Sequence, residues 1–428
     1  MVKITGKITA VLIFVISIAF FLPAFADDQA ARPLSLDECY KIALSNSDAV
    51  KIQSEKLRQA NMAKLDTVGA LLPTISVDHF RDFGISGFNS SGYADEGWET
   101  EIIATQPVFH GLEKINEISV ADREAYKEEL NLISAKRDLA NSTVNAFYAL
   151  ASAQADIINL QDALSLMLAR VKELKQWQEL GKSRPSEVYA TESSAALIAS
   201  QLEQSKAATD DASDALDRVM GIENPVAVIQ PEETSSTVED INITFTAESR
   251  SDVLAQKAEV EASDKRIATG LGVLLPQVDL SAAKVLGGTP FLGTTAYKDT
   301  GWQFMLTAQY PLFQGGQRIF DTVAAFSQRE AAYRQYISTL LDVKYELRSR
   351  MRDYYAAGKI LASMKDAYTK TTQSLNAQVA DYKYGLVTNV DVLQAMSDST
   401  SVKQSLDRTI ITRELDKKLL EISAEVEK

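Results

Sequence analysis

The sequence predicts a mainly α-helical chain with a β-barrel part, built from one helix–two strands–long helix–turn–helix unit written twice. Three observations carry this expectation. Landmarks recur at an offset of about 204 residues, two stretches of nearly 70 residues run almost without Gly or Pro, and short segments before each stretch alternate apolar with polar side chains.

Composition narrows the function classes. The 428 residues are 46% hydrophobic and 24% charged, too apolar for a disordered chain, and the net charge of -14 lacks the basic footprint of a nucleic-acid binder. Only two histidines are present, His79 and His110, and they are not spaced as a catalytic or zinc pair. The carboxylates are spread along helix surfaces, where solubility accounts for them. An enzyme is therefore not expected, nor a catalytic, cofactor or metal site.

Lys3 and Lys7 precede an apolar run from Ala10 to Leu22, and Ala24-Phe25-Ala26 follows. That order predicts a secretory signal peptide over 1–26. The run is shorter than the ~20 residues a helical span needs, and no later stretch is apolar enough to replace it. The expectation is an exported chain that crosses any membrane as strands. Cys39 is the one cysteine, so it cannot form an internal disulfide and reads as a small packed residue at a helix start.

Two repeats are expected, at 27–220 and 247–428, joined by a polar, acidic linker at 221–246. In the first, strands are predicted at about 74–83 and 98–109, a long helix at 112–180 and a return helix at 185–220. In the second, the same elements fall at about 277–286, 302–313, 317–384 and 389–425. Leu71-Leu72-Pro73 returns as Leu274-Leu275-Pro276, Gly97-Trp98 as Gly301-Trp302, and Pro107-Val108-Phe109-His110-Gly111 as Pro311-Leu312-Phe313-Gln314-Gly315. Gly181 answers to Gly385, and Glu187-Val188 to Asp391-Val392.

Leu112 to Leu180 holds no Gly or Pro, and about 104 Å of helix would result at ~1.5 Å per residue. Ala146, Leu150, Ala153, Ile157, Leu160, Leu164, Met167, Val171 and Leu174 step 4-3-4-3, a heptad seam that predicts a left-handed coiled coil. Tyr354, Ala357, Leu361, Met364, Tyr368 and Leu375 repeat it more loosely. Alone, this pattern fits a plain structural rod equally well.

The strands discriminate. Trp302, Phe304, Leu306, Ala308 and Tyr310 alternate with Gln303, Met305, Thr307 and Gln309, and Val278, Leu280 and Ala282 alternate with Gln277, Asp279 and Ser281. Trp98, Thr100, Ile102 and Ala104 do the same with Glu99, Glu101 and Thr105, with Ile103 out of pattern. One apolar and one polar face over about ten residues is the signature of a lipid-spanning barrel strand. Trp98, Trp302 and Tyr310 suit aromatic girdles at the membrane interfaces. The connections Gly84–Gly97 and Gly287–Gly301 read as hairpin loops. Four strands cannot close a barrel, and an open edge cannot face lipid. Two copies would supply eight strands and three would supply twelve. The competing reading is a non-channel periplasmic coiled-coil scaffold with a β-sandwich cap.

The turn Gly385-Leu386-Val387-Thr388-Asn389-Val390-Asp391-Val392-Leu393 joins the last two helices. Gly385 suits the left-handed C′ position, and Thr388 with Asp391 suits a capping box. In the first repeat Gly181 ends the helix, Pro185 sits at N1 and Glu187 matches Asp391, but Arg184 stands where Thr388 would be. Leu386 and Val387 are apolar at the end of a long hairpin, which suggests a docking surface.

These junctions and this turn resemble the outer-membrane efflux protein family typified by TolC, over about Leu34 to Glu425. The resemblance implies a homotrimer with a 12-stranded β-barrel in the outer membrane of a Gram-negative bacterium, continued into the periplasm by a 12-helix coiled-coil α-barrel. It implies the exit duct of a tripartite efflux pump or a type I secretion system, with a periplasmic membrane-fusion (adaptor) protein, an inner-membrane pump of RND or ABC type, and outer-membrane lipid as partners. Adaptor contact carries over to Gly181, Glu187, Gly385, Leu386, Thr388 and Asp391. Asp381, Tyr382, Tyr384 and Asp391 are candidate residues of a periplasmic gate, whose acidic ring would favour cations. Arg184, His110 and Asp381 depart from the family pattern. Drug and protein cargo would use the same tunnel.

Overall fold

The computed structural model describes residues 33–83, 96–223, 226–231, 233, 242–272, 275–289, 301–310, 312–313 and 315–425. The expected signal peptide, part of the expected linker and most of both hairpin loops lie outside them, as do Leu274, Pro311 and Gln314.

The helix expected ahead of the first strands is two helices. α1 (Leu36–Asn46) starts at a capping box in which Ser35 and Glu38 exchange hydrogen bonds, and α2 (Asp48–Gly69) starts afresh at Ser47, whose hydroxyl accepts from the Val50 N–H. Ser47 leaves the helical region at φ -56, ψ 114, so the local side-chain cap ends one helix and begins the next. Strands β1 (Thr74–Phe83) and β2 (Glu96–His110) follow, then α3 (Glu113–Glu179) and α4 (Pro185–Met220). The second repeat gives α5 (Ile243–Ser249), α6 (Ser251–Gly272), β3 (Gln277–Thr289), β4 (Gln303–Gln309), α7 (Gln317–Lys383) and α8 (Asn389–Ser423). Strand β4 is shorter than the 302–313 expected. Trp302 precedes it and Tyr310 follows it, and the next residue in the sequence, Pro311, has no N–H to offer a ladder.

All four strands form one antiparallel sheet in the order β1-β2-β3-β4, so the two repeats are stitched together by the β2–β3 ladder. The long helices α3 and α7 have 67 residues each. Near the sheet, α3 packs against α2 and α6, and α6 packs against α7. Further along, α3 packs against α4 and α8, and α8 packs against α7. Four helices therefore lie side by side at each level.

The main core sits midway, where α1, α3, α4 and α8 meet. Leu150, Leu216 and Met220 are fully buried there with Cys39 and Ala43, beside Phe147 and Leu419. Burial pushes the Cys39 thiol up to about 11, with the neighbouring Glu38 charge adding to it, so it behaves as a packed apolar group. Close backbone approach fixes the junction between strands and helices. A Cβ on Gly272, at the end of α6, would collide with the Gly111 carbonyl oxygen, and one on Gly111 would collide with that of Gly272. Leu112 adopts φ 65, a left-handed conformation that the second repeat gives to Gly316 at φ 82.

Candidate functional site

Far from the sheet, the α3/α4 and α7/α8 hairpins end side by side. Both long helices stop in the same way. The Gly385 N–H donates to the Tyr382 carbonyl and the Leu386 N–H to that of Asp381, each at 3.0 Å. Likewise the Gly181 N–H donates to Gln178 at 2.9 Å and the Lys182 N–H to Trp177 at 2.8 Å. These are Schellman turns, which need a left-handed residue, and the glycines supply φ 69 and φ 71.

The return helices start differently. Thr388 and Asp391 make a full capping box. Asp391 Oδ2 accepts from the Thr388 hydroxyl at 2.7 Å and its N–H at 2.8 Å, and those two bonds hold the Asp391 carboxyl below the usual range. In the first hairpin Arg184 has no side-chain acceptor to offer. Glu187 instead collects donors: the Ser183 hydroxyl at 2.7 Å, the Arg184 N–H at 3.4 Å and, from the other hairpin, the Tyr382 hydroxyl at 3.1 Å. Partial burial works to raise the Glu187 carboxyl, but these hydrogen bonds and the Arg184 charge outweigh it and leave it lowered. Burial and then the Glu187 carboxylate push the Tyr382 phenol up.

Tyr382 is held on its ring as well. Trp177 stacks with it at 5.6 Å between centroids and 3° between planes, and the Arg170 guanidinium sits 4.2 Å from its centroid. Arg170 is only 5% exposed, far inside the usual place of an arginine. Its Nε and Nη2 donate to Asn389 Oδ1 at 3.2 and 3.0 Å, and its Nη1 donates to Glu173 at 2.7 Å. The Asn389 amide donates onward to the Thr191 hydroxyl at 3.0 Å, and Thr191 donates to the Glu187 carbonyl at 2.8 Å. A closed polar circuit therefore ties α3, α4, α7 and α8 together, over an apolar plug of Met167, Ala195, Val392 and Met396.

Of the residues singled out from sequence, the structure brings Tyr382 to Glu187 and Thr388 to Asp391. Glu187, expected as an adaptor contact, is half-buried in the circuit rather than presented at the end. Asp381 supplies its backbone carbonyl to the turn, and Tyr384 extends outward at 81% exposure. Leu386 and Val390 are also about 70% exposed, so the tip ends in an apolar surface. Arg170, Trp177, Thr191 and Asn389 were missed. The available signal was Arg170 itself, a charge lodged between the seam residues Met167 and Val171. Trp98, Trp302 and Tyr310 lie at the sheet, a long helix away. Among the described residues no cluster of three or more metal-binding side chains occurs, and no helix is long and apolar enough to cross a membrane.

Residues 244–408 match a family model described as outer membrane efflux protein. Outer membrane protein TolC of Escherichia coli K12 is 28% identical over 149 residues, 31% of this chain and 29% of TolC, so the match spans under a third of that protein. Among solved structures, CusC superposes with a TM-score of 0.84 at 13% identity over 92% of both chains. Outer membrane protein VceC of Vibrio cholerae superposes with a TM-score of 0.76 at 18% identity, over 91% of this chain and 96% of that one. Residues 244–408 therefore match an outer membrane efflux protein domain, the chain is similar to TolC over 149 residues, and its described residues share the fold of CusC and VceC.

Proposed function

We propose that the chain is the exit duct of a tripartite efflux pump or a type I secretion system, a trimeric channel through the outer membrane of a Gram-negative bacterium with its helices in the periplasm. The observation that carries this reading is the sheet. Its ladder register puts Ile75, Val77, Ile102, Ala104, Leu280, Ala282, Phe304 and Leu306 on one face, and Ser76, Asp78, Glu101, Thr105, Asp279, Ser281 and Thr307 on the other. One face suits lipid and the other a water-filled lumen. The edge strands β1 and β4 have no strand neighbour beyond them among the described residues, and such edges need partners in a membrane. Three copies close a twelve-stranded barrel, and four helices at each level extend it as a twelve-helix tunnel. The flanking helices α2 and α7 keep Met62, Leu65, Phe320 and Val323 more than half exposed, as an edge awaiting a neighbouring copy would.

Conduction is passive. The circuit around Tyr382 and Glu187 holds the two hairpins of a protomer together and keeps the tunnel end narrow. Docking of an adaptor protein on Tyr384, Leu386 and Val390 shifts the tips outward, and an inner-membrane RND or ABC pump supplies the energy. Asp381 and Asp391 add negative charge near the constriction. Single-channel recording of the trimer in planar bilayers tests this. Removing the Tyr382 hydroxyl or the Glu187 charge should weaken closure by about 1 kcal/mol, or roughly fivefold in the closed-to-open ratio. Tyr382→Phe and Glu187→Gln are therefore expected to raise open probability, and unchanged openings in both would refute the gate.

A further inference from the structure

Where the two levels of the helical layer meet, each repeat has a joint at which one helix ends against the start of another. In the first repeat α4 ends at Met220 and meets the start of α2, and in the second α8 ends at Ser423 and meets the start of α6. The joints correspond at an offset of 204, which matches Asn46 to Arg250, Ser47 to Ser251 and Gly221 to Glu425. Their chemistry differs. Across the first joint the Asn46 amide donates to the Met220 carbonyl at 2.9 Å, a bond between neutral groups, and Gly221 takes φ 66 beside it. The second joint puts Glu425 in that left-handed position, at φ 50, where a β-carbon is disfavoured.

What the strained backbone achieves is visible in the Glu425 side chain. Its Oε2 accepts from the Ser251 N–H at 3.0 Å, and its Oε1 from the Ser251 hydroxyl at 2.6 Å and from Arg137 Nη1 at 3.1 Å. One carboxylate therefore caps α6 and holds α3. Arg137 also reaches Asp252 with Nη2 at 3.3 Å, and Asp138, 69% exposed, at 3.4 Å. Arg250 grips both Asp252 oxygens, at 2.9 and 2.7 Å, and reaches Glu346 on α7 at 2.7 Å. The second Glu346 oxygen accepts from the buried Ser423 hydroxyl of α8 at 3.2 Å. Burial works to raise the Asp252 carboxyl, but the Arg250 hydrogen bonds and the Arg137 and Arg250 charges leave it lowered. Arg250 and Arg137 are only 5% and 11% exposed, so bending this joint means separating charges away from water. Bending the first stretches a bond between neutral groups, beside a half-buried Ser47 and an exposed Asp48.

We infer that the α8–α6 joint is an electrostatic latch, closed by Glu425, Arg137, Asp252, Arg250 and Glu346, which fixes the root of the α7/α8 hairpin on α3 and α6, whereas the α4–α2 joint is a hinge. A swing of the α7/α8 tip then bends α7 and α8 themselves beyond the latch, while the first hairpin also turns at its joint. Hydrogen exchange of the full mature chain in mild detergent, read by mass spectrometry, tests this. In the wild type, amides of residues 252–256 are expected to exchange about tenfold more slowly than those of the matching residues 48–52. Glu425→Gly restores the residue of the first repeat and removes the backbone strain, so a loss of protection there cannot come from a worse turn. It should bring the two joints within about twofold of each other, as should Arg137→Gln from the opposite side of the ion pair. Asp138→Asn, at the exposed edge, should change nothing. Equal exchange of the two joints in the wild type would overturn the inference, as would an undiminished difference in Glu425→Gly. Both joints lie within one chain, so the result is independent of whether the protein assembles as a channel.

Discussion

Arg170 holds more of the tip together than any other single side chain described there. Its guanidinium is shared between Asn389, Glu173 and the Tyr382 ring, so truncation leaves the Asn389 amide oxygen buried without that donor. Losing hydrogen bonds from a charged donor costs about 1.5–3 kcal/mol. Arg170→Met is therefore expected to lower the unfolding temperature of the assembled protein and raise channel opening together, read by calorimetry and bilayer recording. Acid acts on the same circuit through Glu187. Because its folded carboxyl is lowered, its contribution is complete above the ordinary value of about 4.3 and is lost only as pH falls through the lower folded value. Opening should stay flat from pH 7 to 5 and rise in more acidic solution, and Glu187→Gln should remove that rise.

At the scale of elements, the turns and the junction glycines separate two kinds of constraint. Gly385 has nothing within 4 Å of an added Cβ, so Gly385→Ala meets only the cost of a left-handed backbone, about 1–2 kcal/mol, and Gly385→Asn less. Gly272 faces the Gly111 backbone, so Gly272→Ala must move a main chain. Overpacking of that kind costs about 1–3 kcal/mol, and here it falls on the strand–helix junction. Denaturation midpoints of the two variants, with the yield of assembled protein, check this: Gly272→Ala should lose assembly while Gly385→Ala keeps it.

The same elements mark what the sequence made legible. The 4-3-4-3 seam shows in the full burial of Leu150 and Leu174, and the alternating strands show in the two-faced sheet, because both patterns follow from local periodicity. The break at Ser47 depends on one side chain choosing to cap. The β2–β3 ladder joins residues 167 to 191 apart, from His110 with Gln277 to Trp98 with Thr289, and no local period encodes it. The seam pattern does not mark Arg170 as buried, because its cover includes Asn389, which arrives with α8 from 219 residues away.

For the whole molecule the argument turns on an unfinished sheet. In the proposed channel, four strands with a lipid-suited face, a polar face and two edges are one third of a ring that copies complete. The exposed apolar residues of α2 and α7 make the same demand of the helical layer. The most direct measurement is the native mass of the mature protein after mild-detergent extraction of isolated outer membranes. A stable trimer in that fraction is the predicted result. A monomer or dimer in the soluble periplasmic fraction would contradict it and leave an exported coiled-coil scaffold.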